Sequence, residues 1–351
     1  MPHVCIIGAG PTGLTAAVEL LRRGATVTLI EKRAASSNFS RAVGISRASM
    51  EILAPSGVSD ALKAEAIRLD GVIFHSDSRP LARLSIPEGD RGQVWALAQD
   101  RTEHHLTEAF HRLGGTMHMD RPCTGLSQDA KSVKVATPNG PIEADFAIAA
   151  DGVRSTVRNT LGLEYHGHDL PGEWSIADVN ARDWPDPAML HGYMLSGGNV
   201  AVVVPMEKAR FRVIASLPDA LKALPVHMDV TKVHRAGRFT ISIRQTEDYR
   251  AGRVLLAGDA AHCHSPVGGR GMNLGIADAA EAAQRIVEND LDEYGESRHL
   301  VGKHVIEQSE KRRRMLQATS PLTRSAVETV LRMAGAFEPL GRRLVRGLVA
   351  D

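Results

Sequence analysis

Cysteine is scarce in this 351-residue chain. Cys5, Cys123 and Cys263 lie far apart, and no CxxC pair occurs. That spacing excludes a disulfide framework and fits a reducing compartment, so a cytoplasmic location is expected. A charge excess of either sign is also missing, with 42 basic and 41 acidic side chains. No basic patch is interleaved with aromatics, which argues against nucleic acid as a partner. No apolar run approaches bilayer length, so no integral membrane segment is expected. The N-terminus carries no Lys or Arg before its apolar run, and Gly and Pro interrupt that run. It reads as a buried strand and not as a signal peptide. Internal repeats and low-complexity segments are absent. What remains is a chain of about two domains' length, 43% apolar, able to bury a sizeable core.

The stretch 253–275, RVLLAGDAAHCHSPVGGRGMNLG, organises the rest. A short apolar strand leads to a sharp Gly258-Asp259 turn, a loop and a helix start. A carboxylate at a strand tip accepts bonds from two ribose-like hydroxyls at once, which suits Asp259. Gly268, Gly269 and Gly271 let backbone approach a flat ligand. The helix expected over about 271–289 aims its free N–H groups and positive dipole end at the same place. A ring that becomes anionic on reduction is favoured there. His262-Cys263-His264 has metal-ligand chemistry, but it sits inside this motif without another ligand cluster nearby in sequence, so no metal is expected.

At the N-terminus a strand over His3 to Ile7 precedes GAGPTG at 8–13, a helix, and a second strand ending at Glu31. This is G-x-G-x-x-G in the context that dinucleotide binding requires, with an acid about 20 residues on. Gly8 permits the tight turn, Gly10 admits a pyrophosphate, Gly13 lets helix and strand pack, and Glu31 suits ribose hydroxyls. Arg41 sits in a loop before a helix, within reach of a phosphate or simply on the surface. PNGP at 138–141 signals a hairpin. The apolar strand after it ends at DGVRSTVR, 151–158, where Asp151 repeats the acid at a strand tip. Arg154 and Arg158, four apart, are expected on one helix face as a phosphate clamp.

Between 165 and 250 strand-like runs dominate, and an antiparallel sheet is expected. Tyr193 and His191 on one such strand share a face by alternation and are substrate-site candidates. Met194 and Met206 read as core. The tail 291–351 reads as helical and arginine-rich, with an apolar stripe of Leu340, Leu344, Val345 and Leu348. It is a packed helix with a solvated basic face, or else a membrane-surface or dimer element. The expected architecture is α/β. A doubly wound, Rossmann-like nucleotide domain takes 1–69, 97–163 and 250–290. A mainly antiparallel β-sheet substrate domain, inserted as 70–96 and 164–249, and a C-terminal helical segment, 291–351, complete it.

Together GAGPTG…E, DGVRSTVR and GDAAHCHSPVGGRGMN resemble the FAD-dependent aromatic hydroxylases, single-component flavoprotein monooxygenases of the p-hydroxybenzoate hydroxylase and phenol hydroxylase type. The resemblance covers roughly 1–163 and 245–315. It implies the FAD-binding domain just outlined, without the thioredoxin-like C-terminal domain of the phenol hydroxylase branch. It implies that Gly8, Gly10 and Gly13 hold the FAD pyrophosphate and Glu31 the adenosine ribose. Arg41 and Gln99 would contact the diphosphate and ribityl region, and Asp259 the ribityl chain. Asp151, Arg154 and Arg158 match a motif tied to both FAD and the nicotinamide cofactor. Pro266 and Gly268 through Asn273 (Gly268, Gly271, Met272 and Asn273 foremost) would line the isoalloxazine. Arg270 stands where the family usually has Gln. The implied reaction takes electrons from NADPH or NADH and inserts one oxygen atom of O2 into a phenolic or polycyclic aromatic compound through a flavin hydroperoxide. Pro266 and Arg270 line the flavin face, and no acid/base triad is evident. A single dinucleotide fingerprint leaves the nicotinamide a transient reductant. The alternatives are a non-aromatic or quinone-type oxygenation (ubiquinone-precursor hydroxylation, epoxidation, inactivation of a tetracycline-like drug) and a non-enzymatic flavin-binding module. A homodimer is compatible with all of them.

Overall fold

The computed structural model describes residues 1–35 and 42–349, with side chains through Gly347. Arg41 therefore lies outside the described residues. The helices are α1 (Pro11–Arg22), α2 (Arg47–Leu53), α3 (Val58–Glu65), α4 (Gln99–Arg112), α5 (Thr156–Thr160), α6 (Gly271–Glu288), α7 (Tyr294–Leu316), α8 (Pro321–Ala336) and α9 (Glu338–Val349).

VCII and FAIA are apolar at every position, the pattern of strands covered on both faces. They become neighbours at the centre of a six-stranded sheet, with Val4 opposite Phe146 on one side and Val27 on the other. Thr26–Ile30, His3–Ile7, Phe146–Ala149 and Val254–Leu256 run parallel. Arg250–Ala251 is an antiparallel edge. Helices α1 and α6 pack into the same core as these strands, through Leu14, Val18, Ile276 and Ala283. The strand tips at Gly8, Asp151 and Gly258 thus open at one end of the sheet, where a doubly wound fold binds its ligand.

A second sheet has seven strands, in the order 229–239, 174–182, 210–215, 200–207, 189–194, 71–76 and 79–85. All its pairings are antiparallel except Met189–Met194 with Gly71–Ser76. Two short strands inside the bounds 70–96 and 164–249 belong to other sheets. Val94–Ala96 pairs with Gly44–Ser46 and Ile67–Arg68. Tyr165–Asp169 pairs with Ser242–Thr246, which also holds His262–Cys263 of the organising stretch. Period-2 alternation marks a strand but does not choose its partner, and these short runs follow the backbone that tertiary packing leaves open to them.

The C-terminal helices cover the outer hairpin of the large sheet. Leu331 and Ala334 of α8 and Val345 of α9 pack with Val72, Phe74 and Leu84. Leu340 and Leu344 join them, so the tail's apolar stripe faces inward as far as side chains are described. Among the described residues no helix is long and apolar enough to cross a membrane. Arg346 pairs with Asp90 through both nitrogens, at 2.8 and 2.6 Å. Val345→Asp should detach α9, because a carboxylate replaces a buried side chain. The expected result is rapid limited proteolysis within 337–349 of a protein whose sheet core stays folded.

Candidate flavin site

Three tight approaches build the nucleotide end. Gly8 has φ +104, and a Cβ there would stand 2.4 Å from the Ala150 carbonyl oxygen. A Cβ on Gly13 would stand 1.9 Å from the Gly8 oxygen, so α1 lies directly on the turn. Gly10 differs: a Cβ there meets nothing within 4 Å, and its backbone is ordinary at φ −79. The space beside Gly10 is open. Helix α1 starts there with Pro at its first position, no side-chain cap and no acid in its first turn. Glu31 is buried and accepts the Ala9 amide at 2.7 Å and the Arg33 Nε at 3.0 Å. Burial by itself would raise the Glu31 carboxyl. The Arg33 guanidinium and the Ala9 and Arg33 amides outweigh it and hold the group below the usual carboxylate range. Beside it lies a cleft of about 230 Å³ lined by Ala9, Arg33, Arg101 and Glu103 among others. Gln99, at the start of α4, accepts the Ala42 amide at 3.0 Å and donates to Glu103 at 2.8 Å.

Asp151 follows the central strand. One carboxylate oxygen accepts the Val157 amide at 3.2 Å. The other is buried and has no hydrogen-bond partner among the described residues. The expected pair of arginines on one helix face does not form. Arg154 is exposed and precedes α5, because Ser155 caps that helix by accepting the Arg158 amide. Arg158 is buried. It donates to the carbonyls of Ala260 (2.9 Å) and Val153 (3.0 Å), and its guanidinium lies 3.8 Å from the centre of the Tyr165 ring. It positions the Gly258–Ala260 turn, with the Tyr165 hydroxyl donating to the Asp259 carbonyl.

That turn meets α1 and α6 at Thr12. Cβ atoms added to Gly258 or Gly275 would stand 2.6 and 2.3 Å from Thr12 Oγ1. The N-terminal turns of α1 and α6 are therefore neighbours. Helix α6 also lacks a side-chain cap and a first-turn acid. The initial amides of both helices have no carbonyl before them in the helix. Two such ends side by side favour an elongated anionic group. The loop 264–270 leads into α6, with Gly268 and Gly269 at φ +95 and +62 and Pro266 exposed. Arg270 is buried at the start of α6, and its Nη2 reaches the Gly347 carbonyl of α9 at 3.5 Å.

Two residues expected along the ring have other side-chain duties. Asn273 accepts from the Ser46 amide (2.9 Å) and the Ser49 hydroxyl (2.8 Å), and donates to the carbonyls of Gly44 and Gly269 (both 3.1 Å). All four of its bonding positions are used, so it ties the 44–49 segment to the loop and has only backbone left for a ligand. The Met272 side chain packs into the main core. Alternation along a loop-to-helix junction does not tell which side chain turns inward. His262 and His264 do not form a metal cluster, and none exists among the described residues.

The structure adds a residue that sequence reasoning passed over. Asp278 on α6 is fully buried. It accepts the Gly258 amide (2.9 Å), His262 Nε2 (2.6 Å) and Arg298 Nε of α7 (2.7 Å). Burial would raise its carboxyl, but His262 and Arg298 outweigh that and lower it. Nothing in the spacing of Asp278 and Arg298, on different helices, marks them as partners.

The substrate-side expectation needs correction. Tyr193 and His191 do share a face, stacked with His75 at ring separations of 4.4 and 5.5 Å from it. That face packs with Ala177, Val203, Val213 and the 217–230 segment. The opposite face carries Val204, which packs with Val43, Val94 and Ala96, and Arg212, which reaches the Ala42 carbonyl. It is this second face that turns toward the nucleotide domain. It bears half-buried Leu190, Val202 and Ile214 and a buried Asp178–Arg212 pair with both bonds at 2.7 Å. Tyr193 and His191 point the other way. Period-2 reasoning groups residues by face but does not say which face is which.

Comparison with known proteins now bears on the site. A family model described as "FAD binding domain" matches residues 1–309. The chain belongs to that family, among the FAD-dependent aromatic hydroxylases. A 12-dehydrotetracycline 5-monooxygenase/anhydrotetracycline 6-monooxygenase of Streptomyces rimosus subsp. rimosus is 34% identical over 81% of this chain and 62% of its own length. A rifampicin monooxygenase of Streptomyces venezuelae is 31% identical over the whole chain and 79% of its own. The chain thus spans less than two thirds of the first of these relatives. The crystal structure of p-nitrophenol 4-monooxygenase from Pseudomonas putida DLL-E4 superposes over both full chains with a TM-score of 0.88 at 24% identity, a likeness of fold. The residues fit FAD: the open space at Gly10, the orphaned Asp151 oxygen and the two uncapped helix ends all match a dinucleotide with a long polar middle.

Asp278→Ala should cost about 3–5 kcal/mol in chemical denaturation, since it strands a buried guanidinium. Acid should also weaken the fold. Burial pushes His264 and His75 down to about 4 in the folded chain, against about 6.5 unfolded. Between those values the unfolded chain holds protons that the folded one lacks, so stability falls as pH drops from about 6.5 toward 4. Urea midpoints at neutral and mildly acid pH check this, and His264→Gln should shrink the difference.

Proposed function

We propose that this protein is an NAD(P)H- and FAD-dependent monooxygenase that inserts one oxygen atom of O2 into a polycyclic or phenolic aromatic compound. The observation that carries the reading is the pairing of two surfaces. Two uncapped helix ends lie side by side at Thr12, one of them opening at the dinucleotide fingerprint, and the sheet face that carries half-buried Val202 turns toward the same domain. FAD bound in this cradle of helix ends supplies electron storage and the activation of dioxygen. The chain's own residues bind, orient and exclude water. Glu31 takes the adenosine ribose, and the first amides of α1, beside Gly10, take the pyrophosphate. Asp151 and Asp259 offer carboxylate oxygens to hydroxyls along the ribityl chain. The backbone of Gly268–Gly271 and the α6 N-terminus would hold the ring, and the helix end would favour negative charge there. Val202, half-buried on the sheet face that turns toward the nucleotide domain, offers apolar surface to a flat substrate and helps keep water from the reacting centre.

The primary test is anaerobic reduction of the bound flavin by NADPH and by NADH, with and without a panel of phenols and polycyclic aromatics. A compound that speeds bleaching and gains one labelled oxygen from 18O2 establishes the reading. Reduction without any later oxygen transfer, across the panel, would sink it. Gly10→Val isolates the cradle. Its backbone is unstrained and its Cβ clear of protein, so the apo-protein should melt at the unchanged temperature while FAD binds roughly tenfold or more weakly.

A further inference from the structure

Charge is segregated along this chain. Residues 311–349 contain nine basic and two acidic side chains, net +7, whereas the whole chain is +1. The remainder is therefore net −6. The same segment carries exposed apolar side chains. On α8, Leu322 (85% exposed), Val330 (44%) and Met333 (56%), with Phe337 (61%) at its C-terminal cap, recur at spacings of eight, three and four, and exposed Ala326 fills the gap. That is one helical stripe. It lies opposite the face that holds α8 in place, where Leu331 and Ala334 are buried, Gly335 abuts Ala82, and Arg324 donates to the carbonyls of Met194 and Leu195. Exposed Lys311, Arg314 and Met315 end α7 just before it, and exposed Arg342 and Arg343 follow on α9.

We propose that α8, with the basic ends around it, docks this protein on an anionic membrane surface. The stripe is a convex ridge of large apolar side chains. A ridge of that shape sinks into the soft boundary between headgroups and acyl chains, and surrounding cations meet anionic lipid. A second copy is the less fitting occupant, because it would set the exposed cations Lys311, Arg314 and Arg343 against their own copies. Among the described residues no helix is long and apolar enough to cross a membrane, so the docking proposed is of a helix lying on the surface. The docking element is linked to the flavin site. Helix α9 is pinned to Asp90 by Arg346 and receives Arg270 from the flavin loop at Gly347. On the activity proposed above, an apolar substrate dissolved in the bilayer would have a short route to the site, but docking itself does not depend on that activity.

Vesicle flotation of the FAD-loaded protein tests this without turnover. It should float with vesicles containing phosphatidylglycerol and not with phosphatidylcholine alone. About 1 M salt, where the screening length is roughly 3 Å, should release it. Met333→Glu/Phe337→Glu should lower the bound fraction roughly tenfold or more, with flavin absorbance and helix content unchanged. Leu322→Ser and Arg314→Glu/Arg343→Glu, both at exposed positions, should lower it too. The proposal fails if anionic vesicles leave the protein in the pellet, or if the double glutamate variant floats as well as the parent. It also fails if the protein ignores vesicles but forms a dimer that those glutamates dissolve, which would assign the stripe to a second copy.

Discussion

Two helix N-termini can serve one elongated anion only if nothing bulky stands between them. Here Thr12 occupies that space alone, because Gly258 and Gly275 offer it hydrogens in place of side chains. The rest of the site depends on that crossing. It sets the end of the central strands, the turn at Gly258 and the direction of α6 in one stroke. A helix end is attractive to negative charge only over its first turn, so a shift of one residue in either helix would separate the two fields.

Holding the crossing in register is costly, and buried charge does it. Asp278 gathers an amide from the turn, an imidazole from the following strand and a guanidinium from α7. Such a network is weak evidence for stability, since its desolvation offsets most of its attraction. Its geometry is strict, however, and it admits one arrangement of four chain segments. The Asp178–Arg212 pair acts similarly on the other side, binding two strands of the large sheet and reaching the carbonyl of Ala42.

Local rules made the nucleotide half readable. The glycines at 8, 10 and 13 are each needed for a different reason, and each reason shows in the structure as a close oxygen or as open space. The PNGP hairpin, the central apolar strands and the span of α6 follow from turn chemistry and periodicity. Arg158 illustrates where such rules stop. Its spacing from Arg154 suggested a shared helix face, but the Ser155 cap starts the helix between them and spends Arg158 on carbonyls.

The sequence by itself determined the cofactor class and the central strands with their glycine-marked tips. Those properties reside in residue types at fixed short spacings, where backbone sterics leave few options. Only the tertiary structure decided which sheet face meets the nucleotide domain, leaving Tyr193 and His191 on the far side. Only it joined Asp278 to Arg298, turned Met272 inward and left the ridge of α8 uncovered. Each of these is a choice between two faces or between distant partners. Such choices depend on how whole elements pack, because a side chain's period says what it shares a face with but not what that face meets.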